Sequence, residues 1–213
     1  MILHGYWRSS SSWRVRIGFA LKELEYDYRA VHLVEEGGRQ HAPEYRAKNP
    51  MRQVPMLEWE ENGQWITLTQ SLAILEFLEE LRPQPPLLPA NRVHRARARE
   101  LAEIINAGTQ PLQNLAVIQK LKNELGVDAR VWSREWIARG LQGYEALAER
   151  YAGTYSVGDE VTLADLCLVP QLYNARRFDV DLSVFPTILG IEERCLKLDA
   201  FVVSHPDHQP DAR

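Results

Sequence analysis

The chain has 213 residues, of which 45% are hydrophobic and 25% charged, and its formal net charge is −4 at pH 7. These values are ordinary for a protein with a real core, and they argue against a nucleic-acid surface, which needs clustered positive charge. The two cysteines, Cys167 and Cys195, have no CxxC spacing, which excludes a disulfide framework and fits a reducing cytoplasm. No apolar run approaches the roughly 20 residues of a membrane span, so we expect no membrane partner.

The chain begins with alternating strands and helices. A short strand, ILHGYW, precedes the run WRSSSSWRVR at 7–16, where four serines lead into an apolar pattern of helical period. Serine is a poor residue inside a helix but among the best at its start. An alternating strand at 26–34 completes a βαβ unit, which requires a parallel pair of strands.

The next segments predict a helix, a hairpin and a second helix. Pro50 ends a short helix within 42–50, and two β-like runs flank the turn pair Asn62-Gly63. An amphipathic helix follows at 71–83. The order β-α-β, α, β-β-α predicts an α/β domain over residues 1–82.

The rest of the chain is predicted to be helical. Four prolines within 82–91 exclude a helix or a central strand, so we assign residues 83–90 to a linker. The remainder, residues 91–213, is predicted to be an all-α domain. Its helical patterns cover 91–123, 129–151, 162–178 and 187–199.

Three local features of this helical half are interpreted as structural. Thr162 and Asp165 have the spacing of a capping box at a helix start. Cys167 shares an apolar helix face and is predicted to be in the core. His205 and His208 lie in a proline-rich segment without a third ligand, so we predict no metal site.

The serine run and the domain order together resemble a known family. An α/β domain whose first helix begins with a polar loop resembles the thioredoxin-like fold, in which a helix N-terminus stabilises a thiolate. Serines occupy the place where redox members carry CxxC, so a ligand would have to provide the thiol. This arrangement, followed by a linker and an all-α domain, is similar to the glutathione transferases.

Several segments, in order along the chain, narrow this resemblance to the zeta class, the maleylacetoacetate isomerases. They are WRSSSSWRVRIGFALK, NPMRQVPMLE with a cis proline expected at Val54-Pro55, LTQSLAILEFLEE, GTQPLQNL, VGDEVTLADLCLVPQ and SHPDHQPD. The resemblance spans essentially the whole chain and implies glutathione as cofactor, a cytoplasmic location and a homodimer. The implied activity is glutathione-dependent cis–trans isomerisation of maleylacetoacetate or maleylpyruvate, by thiolate addition, bond rotation and elimination.

The resemblance also implies a glutathione site. Ser9 would donate to the thiolate with help from Ser10, and such a bond is worth roughly 1.5–3 kcal/mol, or about one to two pKa units. The Val54 backbone would pair with the cysteinyl amide, while Gln70 and Ser71 would take the γ-glutamyl carboxylate at a helix start. The full implied set is Ser9, Ser10, Ser11, Gln40, Val54, Gln70, Ser71, Gln110 and Asn114.

The carboxylates of the small acidic maleyl substrate need positively charged partners. Arginine suits this role because its planar guanidinium can donate two hydrogen bonds to one carboxylate. Arg8 and Arg177 match family positions that face the substrate. Arg176 is adjacent to Arg177, but the two point about 100° apart on a helix, so at most one faces the site. The family signature has a cysteine where this chain has Ser11, which removes a mixed-disulfide side reaction and leaves the particular substrate open.

Three other interpretations remain open at this point. The four serines could simply cap and solubilise a turn. The same pocket could conjugate or dehalogenate small α-haloacids. A third possibility is a non-catalytic protein of the same fold that only binds apolar or acidic ligands.

Overall fold

The computed structural model describes residues 1–212, which divide into two compact units. One unit contains residues 1–85 together with the described part of 199–213, and the other contains residues 86–198. The predicted limits of the linker, 83–90, stay a prediction. One difference concerns residues 199–212, which were assigned to the helical half but lie in the first unit. The helices are α1 Ser10–Leu21, α2 Pro43–Lys48, α3 Ser71–Leu81, α4 Arg92–Asn106, α5 Leu115–Asn123, α6 Ala129–Tyr151, α7 Leu163–Arg177, α8 Pro186–Cys195 and α9 Asp199–Val203.

The first unit is built on a four-stranded sheet with the order β2-β1-β3-β4. β1 pairs with β2 in parallel, which confirms the predicted βαβ unit, and with β3 in antiparallel fashion. β3 and β4 form the predicted hairpin, whose turn residues Asn62 and Gly63 have φ of 53° and 77°, as a tight hairpin turn requires. The strands are β1 Ile2–Gly5, β2 Asp27–Ala30, β3 Met56–Glu61 and β4 Gln64–Thr69.

The core of the first unit lies between the sheet and its helices. α1 packs against α3 and α9, and its residues from Ser12 to Phe19 are all buried. This continuous burial includes two arginines, Arg14 and Arg16, which lie about 200° apart around the helix axis. α1 is therefore covered on more sides than its amphipathic pattern predicts.

The second unit is helical, as predicted, but its first helix is interrupted. The pattern over 91–123 predicts one continuous helix, and this prediction is wrong, because α4 ends at Asn106 and α5 begins at Leu115. A 3₁₀ turn, Gln110–Gln113, separates them. Pro111 has no amide hydrogen to continue a helix, and the Asn114 side chain accepts from the Ala116 N–H (3.1 Å) and starts α5.

The start of α7 has the predicted capping box. The Thr162 N–H and hydroxyl donate to Asp165 Oδ2 at 2.7 and 3.1 Å, and the Ser156 N–H donates to Asp165 Oδ1 at 2.9 Å. Asp165 and Thr162 are both fully buried. One carboxylate therefore satisfies donors from the helix start and from the preceding loop.

Within residues 1–212, no helix combines the length and apolar character needed to cross a bilayer.

Candidate active site

The register of the sheet gathers several predicted residues at one edge. Gly5 at the end of β1 lies opposite Ala30, and the neighbouring His4 lies opposite Met56 at the start of β3. Met56 in turn lies opposite Thr69 at the end of β4. The segments that follow β1, β2 and β4 and the segment that precedes β3 therefore leave the sheet at the same edge. These segments carry Arg8, Ser9, Ser10, Ser11, Gln40, Val54, Gln70 and Ser71.

The serine run lies where β1 leads into α1, and Ser9 is the N-cap of this helix. Its Oγ accepts from the Ser12 N–H at 3.2 Å, and its carbonyl accepts from the Trp13 N–H at 2.8 Å. Ser9, Ser10 and Ser11 are partly exposed, whereas Ser12 is buried. A hydroxyl that accepts one hydrogen bond still has its own proton to donate. Capping and donation to a thiolate are thus compatible in Ser9.

The peptide bond between Val54 and Pro55 is cis, as predicted, and both residues are buried just before β3. The preceding carbonyl, of Gln53, accepts from the Tyr45 hydroxyl at 2.6 Å and from Asn49 Nδ2 at 2.7 Å. Burial raises the pKa of Tyr45 to about 12, so its hydroxyl stays protonated and remains a donor. Two donors therefore fix the chain directly before Val54.

The Val54 backbone itself has no hydrogen-bond partner among residues 1–212. Buried backbone N–H and C=O groups are normally paired. An extended peptide ligand can satisfy such groups in the manner of an added strand.

The start of α3 is an uncapped helix N-terminus. Gln70 precedes it with φ of 73°, a left-handed conformation that is uncommon outside glycine, and no side chain caps the helix. Its first turn contains no acidic residue, and Ser71 is buried. The amides of this turn and the positive end of the helix dipole suit a carboxylate.

Gln40 lies in the 3₁₀ turn Arg39–His41 and is buried. Its Nε2 donates to the Leu33 carbonyl at 3.2 Å, but its Oε1 has no hydrogen-bond partner among the described residues. A buried acceptor without a donor is costly unless a ligand or water supplies one. Together with the uncapped start of α3, it fits a peptide-like ligand that has both amide donors and carboxylates.

The basic residue beside the serines, Arg8, is partly exposed. Its guanidinium carbon lies 5.2 Å from the centre of the Trp7 ring, within the range of a cation–π contact.

The other predicted residues lie in the second unit. Gln110 begins the 3₁₀ turn before α5 and is partly buried, and Asn114 is the N-cap of α5. Arg177 is the last residue of α7, where its Nη1 donates to Asn174 Oδ1 at 2.7 Å. Its guanidinium carbon is 5.8 Å from the ring centre of Phe178.

The neighbouring arginine, Arg176, is held differently. It forms a bidentate ion pair with the buried Glu192. Its Nη1 donates to Oε1 at 2.6 Å and its Nη2 donates to Oε2 at 2.5 Å. This hydrogen-bonded pairing raises the pKa of Arg176. Because Arg176 neutralises a buried carboxylate, its role is structural, which favours Arg177 over Arg176 as the arginine that faces a ligand.

A chain of hydrogen-bonded amide side chains, which was not predicted from the sequence, ends at Arg177. Asn174 Nδ2 donates to Gln113 Oε1, and Gln113 Nε2 donates to Gln171 Oε1 at 2.7 Å. With the Arg177 bond, these contacts fix which end of each amide is oxygen and which is nitrogen. The only available signal was spacing, since Gln171 and Asn174 lie on the helix of Arg177 and Asn174 precedes it by three residues.

Comparisons with known proteins agree with this architecture. Residues 8–81 match the family described as glutathione S-transferase, N-terminal domain, and residues 137–199 match glutathione S-transferase, C-terminal domain. The probable maleylacetoacetate isomerase 2 of Drosophila melanogaster is 49% identical over 210 residues, which cover 99% of this chain and 89% of that protein. The maleylpyruvate isomerase of a Ralstonia species is 42% identical over 217 residues and covers 100% of both chains.

A solved structure extends the comparison to three dimensions. It is the crystal structure of the maleylacetoacetate isomerase from Anaeromyxobacter dehalogenans with GSH bound in its active site. The two chains are 52% identical, the match covers 100% of this chain and 97% of the other, and the TM-score is 0.92. The predicted fold class, a thioredoxin-like α/β domain followed by an all-α domain, is confirmed as the glutathione S-transferase architecture. The chain belongs to the zeta-class glutathione transferase and maleylacetoacetate isomerase family.

Proposed function

We propose that this protein is a glutathione-dependent cis–trans isomerase that converts maleylacetoacetate or maleylpyruvate to the fumaryl isomer. The observation that carries the proposal is the start of α1, where a helix N-terminus suited to a thiolate is lined by serines. Cys167 and Cys195 are both buried, and burial raises the pKa of the Cys195 thiol. The reactive thiol must therefore come from a ligand, and the relative from Anaeromyxobacter dehalogenans has GSH bound in its active site.

The residues of the first unit would hold and activate that ligand. Bound glutathione would supply the thiolate that adds to the cis double bond, so that the bond can rotate before elimination restores the thiol. Ser9 would donate its hydroxyl proton to the sulfur, with Ser10 and the first amides of α1 assisting. The Val54 backbone would pair with the peptide part, and Gln40, Gln70 and Ser71 would hold its polar ends.

The family resemblance also assigns roles to residues of the second unit. Gln110 and Asn114 are assigned to glutathione by the family resemblance. Arg8 and Arg177 would bind the carboxylates of the maleyl acid, because a planar guanidinium matches a carboxylate with two parallel hydrogen bonds. The bond from Arg177 to Asn174 (2.7 Å) supports this role, since it orders a long side chain before any substrate arrives.

The family resemblance also supports a cytoplasmic homodimer with no nucleic-acid or membrane partner. Light scattering during size-exclusion chromatography tests the dimer. A mass near twice the chain mass of 24.5 kDa is the expected result.

The test of the proposed activity is direct. The purified protein is given each maleyl acid with and without glutathione, and the loss of substrate absorbance is followed. We expect isomerisation only with glutathione, and the ratio of kcat/KM between the two acids decides the substrate. Robust isomerisation in thiol-free buffer would contradict the mechanism. Halide release from α-haloacids without isomerisation would favour the dehalogenase, and glutathione binding without any turnover would favour a ligand-binding protein.

A further inference from the structure

The backbone of Trp7, two residues before Ser9, is held at both its N–H and its carbonyl group. Its N–H donates to Asp211 Oδ2 at 3.0 Å, and its carbonyl accepts from Arg16 Nη2 at 2.9 Å. Only Arg8 separates Trp7 from Ser9. The two peptide groups on either side of the Trp7 Cα are thus fixed directly before Arg8, the proposed substrate arginine, and Ser9, the proposed thiolate donor.

One partner of Trp7 belongs to the C-terminal segment, which we define as residues 199–212, and the other is bonded to this segment. Asp211 belongs to this segment, and Arg16 Nε donates to the carbonyl of Ser204 in the same segment at 3.1 Å. The buried guanidinium of Arg16 therefore donates both to Trp7, before the serine run, and to the C-terminal segment. Both lie in the first unit.

The segment is also anchored to α1 independently of Asp211. Trp13 Nε1 donates to Ser204 Oγ at 3.1 Å, and the rings of Trp13 and His205 lie edge to face with centres 5.1 Å apart. Trp13 and Phe201 are almost completely buried. Removal of the Asp211 carboxylate would consequently leave most of the packing of the segment in place.

The polar cluster around Asp211 is not arranged for maximal stability. The hydroxyl of Tyr28 donates to Asp211 Oδ2 at 3.3 Å. Burial, and to a lesser extent the negative charge of Asp211, raises the pKa of Tyr28, so its hydroxyl keeps its proton. Yet Asp211 Oδ1 and Arg16 Nη1 are buried without a hydrogen-bond partner among residues 1–212. Buried charges that are incompletely paired contribute little net stability. The cluster instead holds the Trp7 backbone at its N–H and its carbonyl.

We infer that Asp211 is a positioning residue of the active site, through which the C-terminal segment holds the loop Trp7–Ser9 in the conformation that binds and ionises glutathione. This inference rests on the proposed function, in which Ser9 donates to the thiolate. It gives a role to the motif SHPDHQPD, in which Ser204 and His205 contact Trp13, the Ser204 carbonyl accepts from Arg16, and Asp211 accepts from the Trp7 N–H.

The test compares Asp211→Ala with a matched control, Asp207→Ala. Asp207 is an exposed carboxylate of the same segment, and its Oδ2 lies 3.7 Å from Nδ1 of His205. Amide hydrogen exchange of peptides that cover residues 7–12 is measured without ligand, and the glutathione Kd is measured by calorimetry. For Asp211→Ala we expect exchange at these residues to rise at least about tenfold and the glutathione Kd to rise about fivefold to tenfold. The control should stay within about twofold of the parent protein.

A conservative variant separates positioning from bulk stability. Asp211→Asn keeps an oxygen that can accept from Trp7 but loses the charge, so we expect a glutathione Kd raised only about threefold. The same expectation serves as the test if Asp211→Ala does not fold. Local exchange and glutathione Kd that match the parent protein would overturn the inference. So would a uniform loss of protection across the first unit with unchanged glutathione affinity of the folded fraction.

The design also keeps the inference distinct from the proposed function. If the parent protein binds no glutathione, the proposed function fails. The exchange of residues 7–12 in Asp211→Ala still decides whether Asp211 holds the loop.

Discussion

The hydroxyl of Ser9 makes one observed hydrogen bond and is proposed to make a second. Its oxygen accepts from the Ser12 N–H at 3.2 Å and caps α1, while its proton is available to a thiolate. The two roles can be separated by substitution because glycine is nearly as good an N-cap as serine, whereas alanine is not.

Replacement of Ser9 by either residue should raise the thiol pKa of bound glutathione by about one unit or more, because a hydrogen bond to the thiolate is lost. Ser9→Ala should also lower the free energy of unfolding by about 1 kcal/mol, and Ser9→Gly by only a few tenths. The thiolate absorbance of the complex, titrated against pH, measures the first effect and urea unfolding the second. If neither variant moves the thiol pKa, Ser9 is not the donor and Ser10 is tested next.

Substitution of Arg177 and of its neighbour Arg176 tests which of the two residues binds the substrate carboxylate. Arg177→Met should reduce kcat/KM for a maleyl acid at least about tenfold, since a charge-assisted contact is worth roughly 1.5–3 kcal/mol. KM for the acid should rise while glutathione affinity stays nearly constant. Arg177→Lys should restore part of the loss, because lysine offers a point charge instead of a planar fork.

The matched control is Arg176→Met. Its partner Glu192 is buried, so this variant should lower stability but leave kcat/KM of the folded enzyme nearly unchanged. A neutral electrophile provides a second control, since it has no carboxylate for Arg177. Equal losses for neutral and acidic substrates in Arg177→Met would mean that Arg177 is structural and that Arg8 binds the acid.

At the scale of elements, the start of α7 shows how a single carboxylate can organise a loop and a helix. Asp165 accepts from Ser156 and Thr162 and is fully buried. The capping box is readable in the sequence because Thr162 and Asp165 are only three residues apart.

Asp165→Ala should lower the free energy of unfolding by about 3 kcal/mol, because it removes a helix cap and leaves buried N–H donors without an acceptor. The matched control is Asp159→Ala, whose exposed carboxylate accepts from Thr154 at 2.9 Å and whose loss should cost about 0.5 kcal/mol. Urea unfolding measures both variants. A smaller loss for Asp165→Ala than for Asp159→Ala would show that the box does not stabilise α7.

At the scale of the whole molecule, a comparison of glutathione with its S-methyl derivative distinguishes ligand binding from catalysis. Glutathione at about one hundred times its Kd should stabilise the folded protein by about 2.7 kcal/mol, which a rise in Tm reports. S-Methylglutathione should give a similar rise, because the residues proposed to hold the peptide do not require a free thiol. It should support no isomerisation and should compete with glutathione. Isomerisation with the methylated compound as the only tripeptide would rule out a role for the free thiol.

Much of the fold could be predicted from the sequence, because the signals are local. The hairpin at Asn62-Gly63 depends on positive φ at two adjacent residues, the capping box on a spacing of three, and the parallel pair on a helix between two strands. The break between α4 and α5 had a local signal as well, Pro111, which the continuous apolar pattern outweighed. The serine start of α1 was predicted for the same reason, since a helix cap is set by its own first turn.

The sequence by itself therefore determined the order of elements through α3, the caps of α1 and α7, and the serine run as the candidate site. Only the tertiary structure decided which distant groups support that site. The contact of Asp211 with Trp7 joins residues 204 positions apart, and that of Gln113 with Asn174 joins residues 61 apart. Neither has a periodic or turn signal, because a hydrogen bond between distant residues depends on how the chain packs and not on its local conformation. Burial of Arg16 likewise follows from the segment that covers α1, which no pattern within α1 reveals.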